Sequence, residues 1–186
     1  VYKRQVRNGP IRLVYQGRID AHRGIDSVLD LFQSLDQTSN GFELYLHGKG
    51  DMVETIRNKK LEHVYITGHI SQSVLAQRLA EYDIGLLPMP ASKIWKLASP
   101  LKRAEYLGAG LLILGIHHQG HELLKGRTEQ FSLLFAQHEF HTRSKKWLES
   151  LHREDIGPLQ DKARAYAEAH LDWSQSVDHL LAMMSS

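Results

Sequence analysis

Cysteine is absent from this 186-residue chain, so disulfides and thiolate metal sites are excluded and a reducing compartment is permitted. No apolar run approaches the roughly 20 residues that span a bilayer, and no secretory leader opens the chain. A strong charge imbalance is missing too. Net charge is +2 and no long run of like charge occurs, so nothing argues for a nucleic-acid partner. Several fingerprints are lacking as well. Without Gly-x-Gly-x-x-Gly or Gly-x-x-x-x-Gly-Lys-Ser/Thr, simple dinucleotide oxidoreductases and P-loop enzymes drop out. Without a Gly-x-Ser-x-Gly elbow, a Ser-His-Asp triad has no support. Linkers, repeats and low-complexity tracts are absent, which makes one domain over residues 1–186 the simplest organisation.

What is present is a globular balance, 42% hydrophobic and 24% charged, which favours a packed core over a disordered chain. Short apolar runs rich in β-branched and aromatic residues recur at 11–16, 42–47, 64–67, 83–87, 111–115 and 131–135. Segments of helical period lie between them. One carries Ile25, Val28, Leu29, Leu31, Phe32 and Leu35 on one face; another carries Val74, Leu75, Leu79 and Tyr82. Strands alternating with helices predict an α/β fold, a doubly wound, Rossmann-like, parallel six-stranded sheet with helices on both faces. After Ala136 the pattern turns wholly helical, over 138–153, then 158–170 with Pro158 in the first position, then 173–184 with Trp173 on the apolar face. This predicts a helical C-terminal tail.

Residues 99–110, Ser-Pro-Leu-Lys-Arg-Ala-Glu-Tyr-Leu-Gly-Ala-Gly, read as a short helix with its start and stop written in. Ser99 suits the N-cap, Pro100 the first position, and Gly108 and Gly110 the last turn. Lys102 and Arg103 sit in the first turn, where the helix dipole already concentrates positive charge, a placement that costs about 0.3–1 kcal/mol. Such an end suits an anion such as phosphate, and Glu105, one turn in, suits the hydroxyls of a polyol. The alternative is a surface helix with solvated charges.

Glycines follow or close four of the apolar runs: Gly17-Arg18, Gly48-Lys49-Gly50, Gly68-His69 and Gly115-Ile116-His117. In a parallel sheet these ends share one edge, the edge where open α/β folds bind ligands. Arg18, Arg23, Lys49 and Lys102 then converge on one crevice and point to an anionic ligand. His117, His118 and His121 have spacing that fits either a metal pair or a polar turn, and no third-ligand framework accompanies them.

Taken together, Gly17-Arg18 through Arg23-Gly24, Gly48-Lys49-Gly50, Gly68-His69-Ile70, residues 81–88 and residues 99–110 resemble glycosyltransferase family 4 (glycosyl transferases group 1) in order and spacing. The resemblance covers nearly everything from Ile11 to Met184. It implies a retaining, hexosyltransferase-type enzyme of GT-B fold, of which this chain resembles the C-terminal, donor-nucleotide-binding half. Val1 in place of an initiator Met fits a fragment or processed piece. By the resemblance, Arg18 and Arg23 hold the donor's diphosphate and stabilise the charge of the leaving group. Ser99, Leu101 and Lys102 face the same diphosphate, Glu105 binds the ribose, and His69 and Ile70 meet the base. Arg23 stands where the family usually has Lys, and a guanidinium forks onto phosphate where an ammonium acts as a point charge. Two positions depart from the pattern: Leu97 stands where the family has the first glutamate of Glu-x7-Glu, and Leu112 where it often has proline. The last helix, opening near Trp173, resembles the one that packs back across the domain junction.

No cofactor and no metal are expected. The implied partners are a UDP-, GDP- or ADP-sugar and a glycan or glycolipid acceptor held by an absent N-terminal domain. The implied setting is polysaccharide biosynthesis in the cytoplasm, with a peripheral contact at the cytoplasmic membrane open to the full-length enzyme. The fragment alone is expected to be inactive. Two alternatives stand beside this reading: a non-catalytic nucleotide-sugar-binding or scaffold domain, and a sugar-nucleotide epimerase of the same fold.

Overall fold

The computed structural model of the chain describes residues 8–36, 41–98, 101–123 and 128–172. Strands β1 (Ile11–Gln16), β2 (Phe42–His47), β3 (Val64–Gly68), β4 (Ile84–Leu87), β5 (Leu112–Ile116) and β6 (Ser132–Phe135) form one sheet in the order β3-β2-β1-β4-β5-β6. Every pairing is parallel. The described helices are α1 (Ile25–Ser34), α2 (Val53–Lys59), α3 (Gln72–Leu79), α4 (Lys93–Leu97), α5 (Leu101–Gly108), α6 (Phe140–Ser150) and α7 (Arg153–His170). They cover both faces, with α1 packed on α6 and α5 on α7. The central strands β4 and β5 are buried at every residue, as sheets covered on both sides require. The edge strand β3 alternates instead between half-buried and exposed residues. The chain thus adopts the doubly wound, Rossmann-like fold that its periodicity predicts.

The apolar stripe of α1 is buried through Ile25, Val28, Leu29, Leu31 and Phe32. Helix α5 is seated by a close approach. A Cβ at Gly85 on β4 would lie 2.2 Å from the Tyr106 ring, so only glycine lets that ring lie flat on the sheet. The Tyr106 hydroxyl then accepts the Gln16 N–H at 3.1 Å, tying α5 to the end of β1. Gly110, with φ +76°, closes the helix, and the Leu111 N–H returns to the Tyr106 carbonyl at 2.8 Å.

The helical tail differs from expectation. Helix α7 starts at Arg153, and Pro158 lies inside it instead of opening it. Tertiary anchoring overrides the proline: the Arg153 guanidinium bonds the Asp83 carboxylate at 2.5 Å, Glu154 and Asp155 complement the positive helix end, and Ile156 and Gln160 are buried. Helix α4 has no counterpart in the periodicity. Gly115 lies within β5, one residue before its end. The helix expected over 173–184 lies outside the described residues, as do Ser99 and Pro100. No described helix is long and apolar enough to cross a membrane.

Candidate functional site

The carboxyl ends of β1 to β5 open into one cleft of about 650 Å³ beside the β1/β4 switch point, where the strand order reverses. Arg18 and Arg23 enter it from the loop after β1, and Lys49 from the loop after β2. His69 and Ile70 come from the end of β3. Leu101, Lys102 and Glu105 come from the first two turns of α5. These eight candidates for the donor site therefore line a single cavity.

Asp20 organises the cationic wall. Its buried carboxylate accepts Arg18 Nε at 2.7 Å and Nη2 at 3.3 Å, and the Asp51 N–H at 3.1 Å. Arg23 Nε stands 3.7 Å away. The hydrogen bond from Arg18, first among several causes, holds the Asp20 carboxyl below its ordinary range. In return the Asp51 carboxylate accepts the Ala21 N–H at 3.1 Å, joining the loops after β1 and β2. Arg23 is further fixed over the Trp95 ring, with Cζ 4.8 Å from its centroid. Arg18 stays two-thirds exposed, its guanidinium swung back onto Asp20.

Lys102 is different. Its ammonium sits over the Tyr15 ring at 4.9 Å, with no ion-pair partner among the described residues. Burial, and then repulsion from Arg23, lower its pKa from 10.5 to about 8. The attraction of Glu105 opposes both effects without outweighing them. Glu105 accepts a hydrogen bond from the Gln16 amide through Oε2, which aims the carboxylate along the cleft. His47 also lines the cavity, but its ring bonds the Thr67 and Tyr82 hydroxyls, the latter at 2.6 Å. Burial lowers its pKa to about 4, so it stays neutral.

Other placements depart from the sequence reading. Arg103 does not join Lys102 at the cleft: its guanidinium bonds the carbonyls of Gly120 and Glu122, since successive residues of a helix face different ways. Leu97 is 76% exposed at the end of α4 and does not line the cavity. The histidine trio divides. His117 pairs with Glu122 at 2.9 Å in the open, whereas His118 and His121 are buried with ring centroids 3.7 Å apart. Among the described residues no group of three or more His, Cys, Asp or Glu is placed to hold a metal ion. Sequence reading missed Gln16, Asp20, Trp95 and His121 as parts of the site. Of these, only Asp20, set between two arginines, carries a local signal.

This strand order defines a Rossmann-like α/β domain whose switch-point cleft is ringed by basic loops and the start of α5. The family model of glycosyl transferases group 1 matches residues 10–152, and the chain belongs to that family. No curated protein matches the chain in sequence. Among solved structures it is similar to a TarM variant of S. aureus in complex with fondaparinux, alpha-GlcNAc-glycerol and UDP. The TM-score is 0.72 at 12% identity, covering 98% of this chain and 38% of that one. Anabaena HepE in complex with UDP-glucose aligns with TM-score 0.64 at 14% identity, over 95% of this chain and 49% of that one. The C-terminal domain of the LpcC protein from Francisella tularensis, a glycosyl transferase group 1 family protein, aligns with TM-score 0.66 at 10% identity. That match covers 88% of this chain and 87% of the other. At these identities the likeness is one of fold. The chain spans less than half the length of TarM and HepE.

Proposed function

We propose that this chain is the C-terminal, donor-binding domain of a retaining glycosyltransferase of family 4 that takes a UDP-, GDP- or ADP-sugar. The observation that carries the reading is the cleft itself: Arg18, Arg23, Lys49 and Lys102, from three separate segments, line one cavity together with Glu105. UDP and UDP-glucose in the structural neighbours support the same donor class. Arg18, Arg23, Lys102, Leu101 and Ser99 hold the diphosphate, Glu105 takes the ribose hydroxyls, and His69 and Ile70 flank the base.

When the glycosidic bond breaks, negative charge grows on the departing nucleoside diphosphate. Fixed cations and the first N–H groups of α5 stabilise that charge without a metal ion. Losing one such contact costs about 2.7–4 kcal/mol of transition-state stabilisation. The acceptor, a glycan or glycolipid, binds on a separate N-terminal domain, so the 186 residues transfer no sugar alone. The full-length enzyme works in the cytoplasm, with a peripheral contact at the membrane surface open to it.

Titration with UDP, GDP and ADP tests the reading. One of them binds with amide shifts confined to residues 17–24, 68–70 and 99–105; absence of binding by all three would overturn it. The scaffold alternative draws on one observation, the apolar and exposed Leu97 where the family pattern places a glutamate. Sugar transfer by a full-length enzyme containing this domain would exclude it.

A further inference from the structure

Among the described residues, large apolar side chains are more than half exposed at three positions only, and all three lie on α4 and α5, which line the cleft. Ile94 is 75% exposed and Leu97 76%, both on α4; Leu101, 65% exposed, opens α5. Exposed apolar groups gathered in one place mark a surface that something else covers.

The exposure is imposed from beneath. Trp95 turns inward, with the Arg23 guanidinium over its ring at 4.8 Å and the His22 ring stacked at 6.4 Å between centroids. A Cβ at Gly120 would stand 2.3 Å from the Ala98 carbonyl oxygen and 2.4 Å from that of Trp95, so the loop carrying His121 is wedged under the end of α4. With the inner side held in this way, Ile94 and Leu97, three positions apart, share the outer side. Lys93 and Lys96 repeat that spacing beside them. Both lysines are exposed, and neither has an ion-pair partner among the described residues.

Charge decides what chemistry covers this face. No Asp or Glu occurs between Asp83 and Glu105, while Lys93, Lys96, Lys102 and Arg103 do. Glu122, at the end of the loop beneath α4, is taken by His117 at 2.9 Å. Apolar tips flanked by lysines match an anionic lipid surface: the tips enter the headgroup layer while the ammonium groups meet the phosphates. A second copy matches poorly, because a two-fold contact through this face brings four lysines together with no carboxylate from the same stretch to pair them.

We propose that the outer side of α4, Ile94 and Leu97 with Lys93 and Lys96, seats the protein on an anionic bilayer. The inference rests on the donor-domain reading above and deepens its peripheral membrane contact by naming the surface that makes it. The mouth of the cleft then lies close to the headgroups, where a glycolipid acceptor is presented.

The test is co-sedimentation of the 186-residue chain with vesicles, one set of phosphatidylcholine alone and one of three parts phosphatidylcholine to one part phosphatidylglycerol. The chain binds the second set in preference to the first, and raising the salt concentration releases it. Ile94→Ser combined with Leu97→Ser weakens the binding about tenfold for each apolar side chain, and Lys93→Gln combined with Lys96→Gln about fivefold for each charge. Neither pair changes the affinity for UDP, GDP or ADP. Should the serine pair fail to fold, the lysine pair and the salt dependence of the native chain decide. Absence of binding to the anionic vesicles, or binding that both pairs leave unchanged, would overturn the inference, while nucleotide binding keeps the donor-domain reading intact. A dimer that the serine pair dissociates would overturn it in favour of a second copy. Vesicle binding by a full-length enzyme that neither pair alters would overturn it in favour of the N-terminal domain as the cover. Failure of UDP, GDP and ADP all to bind would overturn the donor-domain reading, and with it the part this contact plays in sugar transfer.

Discussion

Lys102 is the residue whose charge state reports most directly on the cleft. With a folded pKa of about 8 against 10.5 in the unfolded chain, it binds fewer protons when folded across that window. The empty protein therefore gains stability as pH rises through about 8 and levels off above 10.5. Replacing it by Lys102→Met should raise the thermal midpoint of the empty chain, by about 1–2 kcal/mol in stability, and weaken UDP, GDP or ADP binding. In the native chain nucleotide affinity should fall as pH rises through 8, because the ammonium that meets the diphosphate is lost; a flat profile in calorimetric titration contradicts the assignment. Glu105→Ala should weaken the same ligand about 10- to 100-fold, the range for hydrogen bonds to a charged group. His47 and His121 act in the opposite pH range. Both fold neutral, with pKa values of about 4 and about 3, below the ordinary 6.5. Their contribution is complete above pH 6.5 and is lost as pH falls towards 4, on the order of 3 kcal/mol each. Urea unfolding at stepped pH checks this, and stability held constant from pH 7 to pH 4 contradicts it.

At the scale of elements, α5 and α7 show how tertiary contacts decide what local pattern leaves open. The position of α5 depends on the Tyr106 ring lying over Gly85, and a side chain there drives the helix from the sheet. Gly85→Ala should cost about 1–3 kcal/mol and weaken nucleotide binding as well, because Lys102 and Glu105 travel with the helix. Pro158 was legible as a helix opener from its sequence neighbourhood, since proline suits a first turn. That reading failed because the anchor of α7 lies elsewhere, in the pairing of Arg153 with Asp83, 70 residues away in sequence. Pro158→Ala should restore the missing backbone hydrogen bond and stabilise the chain, by up to about 3 kcal/mol, with the gain read as a higher thermal midpoint. The strands were plain from their β-branched runs because central parallel strands such as β4 and β5 are buried on both faces and tolerate little else. The short helix α4 was not, since five residues carry too little periodicity.

At the scale of the molecule, what the sequence made visible was the layout: glycine and basic residues at the ends of consecutive strands must share an edge once the sheet is parallel. Arg18, Arg23 and Lys49 reach one cleft for that reason, and Lys102 joins them from the first turn of α5. Contacts made across loops were hidden. Trp95 beneath Arg23, Gln16 against Glu105 and the wedged loop carrying His121 join residues tens of positions apart, and no spacing rule announces them. Such a preformed cleft binds its ligand to the folded state only. Saturation at 100 times Kd therefore adds about 2.7 kcal/mol, roughly a 5–10 °C rise in midpoint for a chain of this size. The most direct measurement is calorimetric titration of the 186-residue chain with UDP, GDP and ADP beside their monophosphates, repeated with Arg23→Gln. The predicted result is one-to-one binding of a diphosphate that is clearly tighter than its monophosphate and is weakened about 100-fold by the substitution. Equal affinity for mono- and diphosphate, or binding untouched by loss of Arg23, would contradict a cleft built to hold a pyrophosphate.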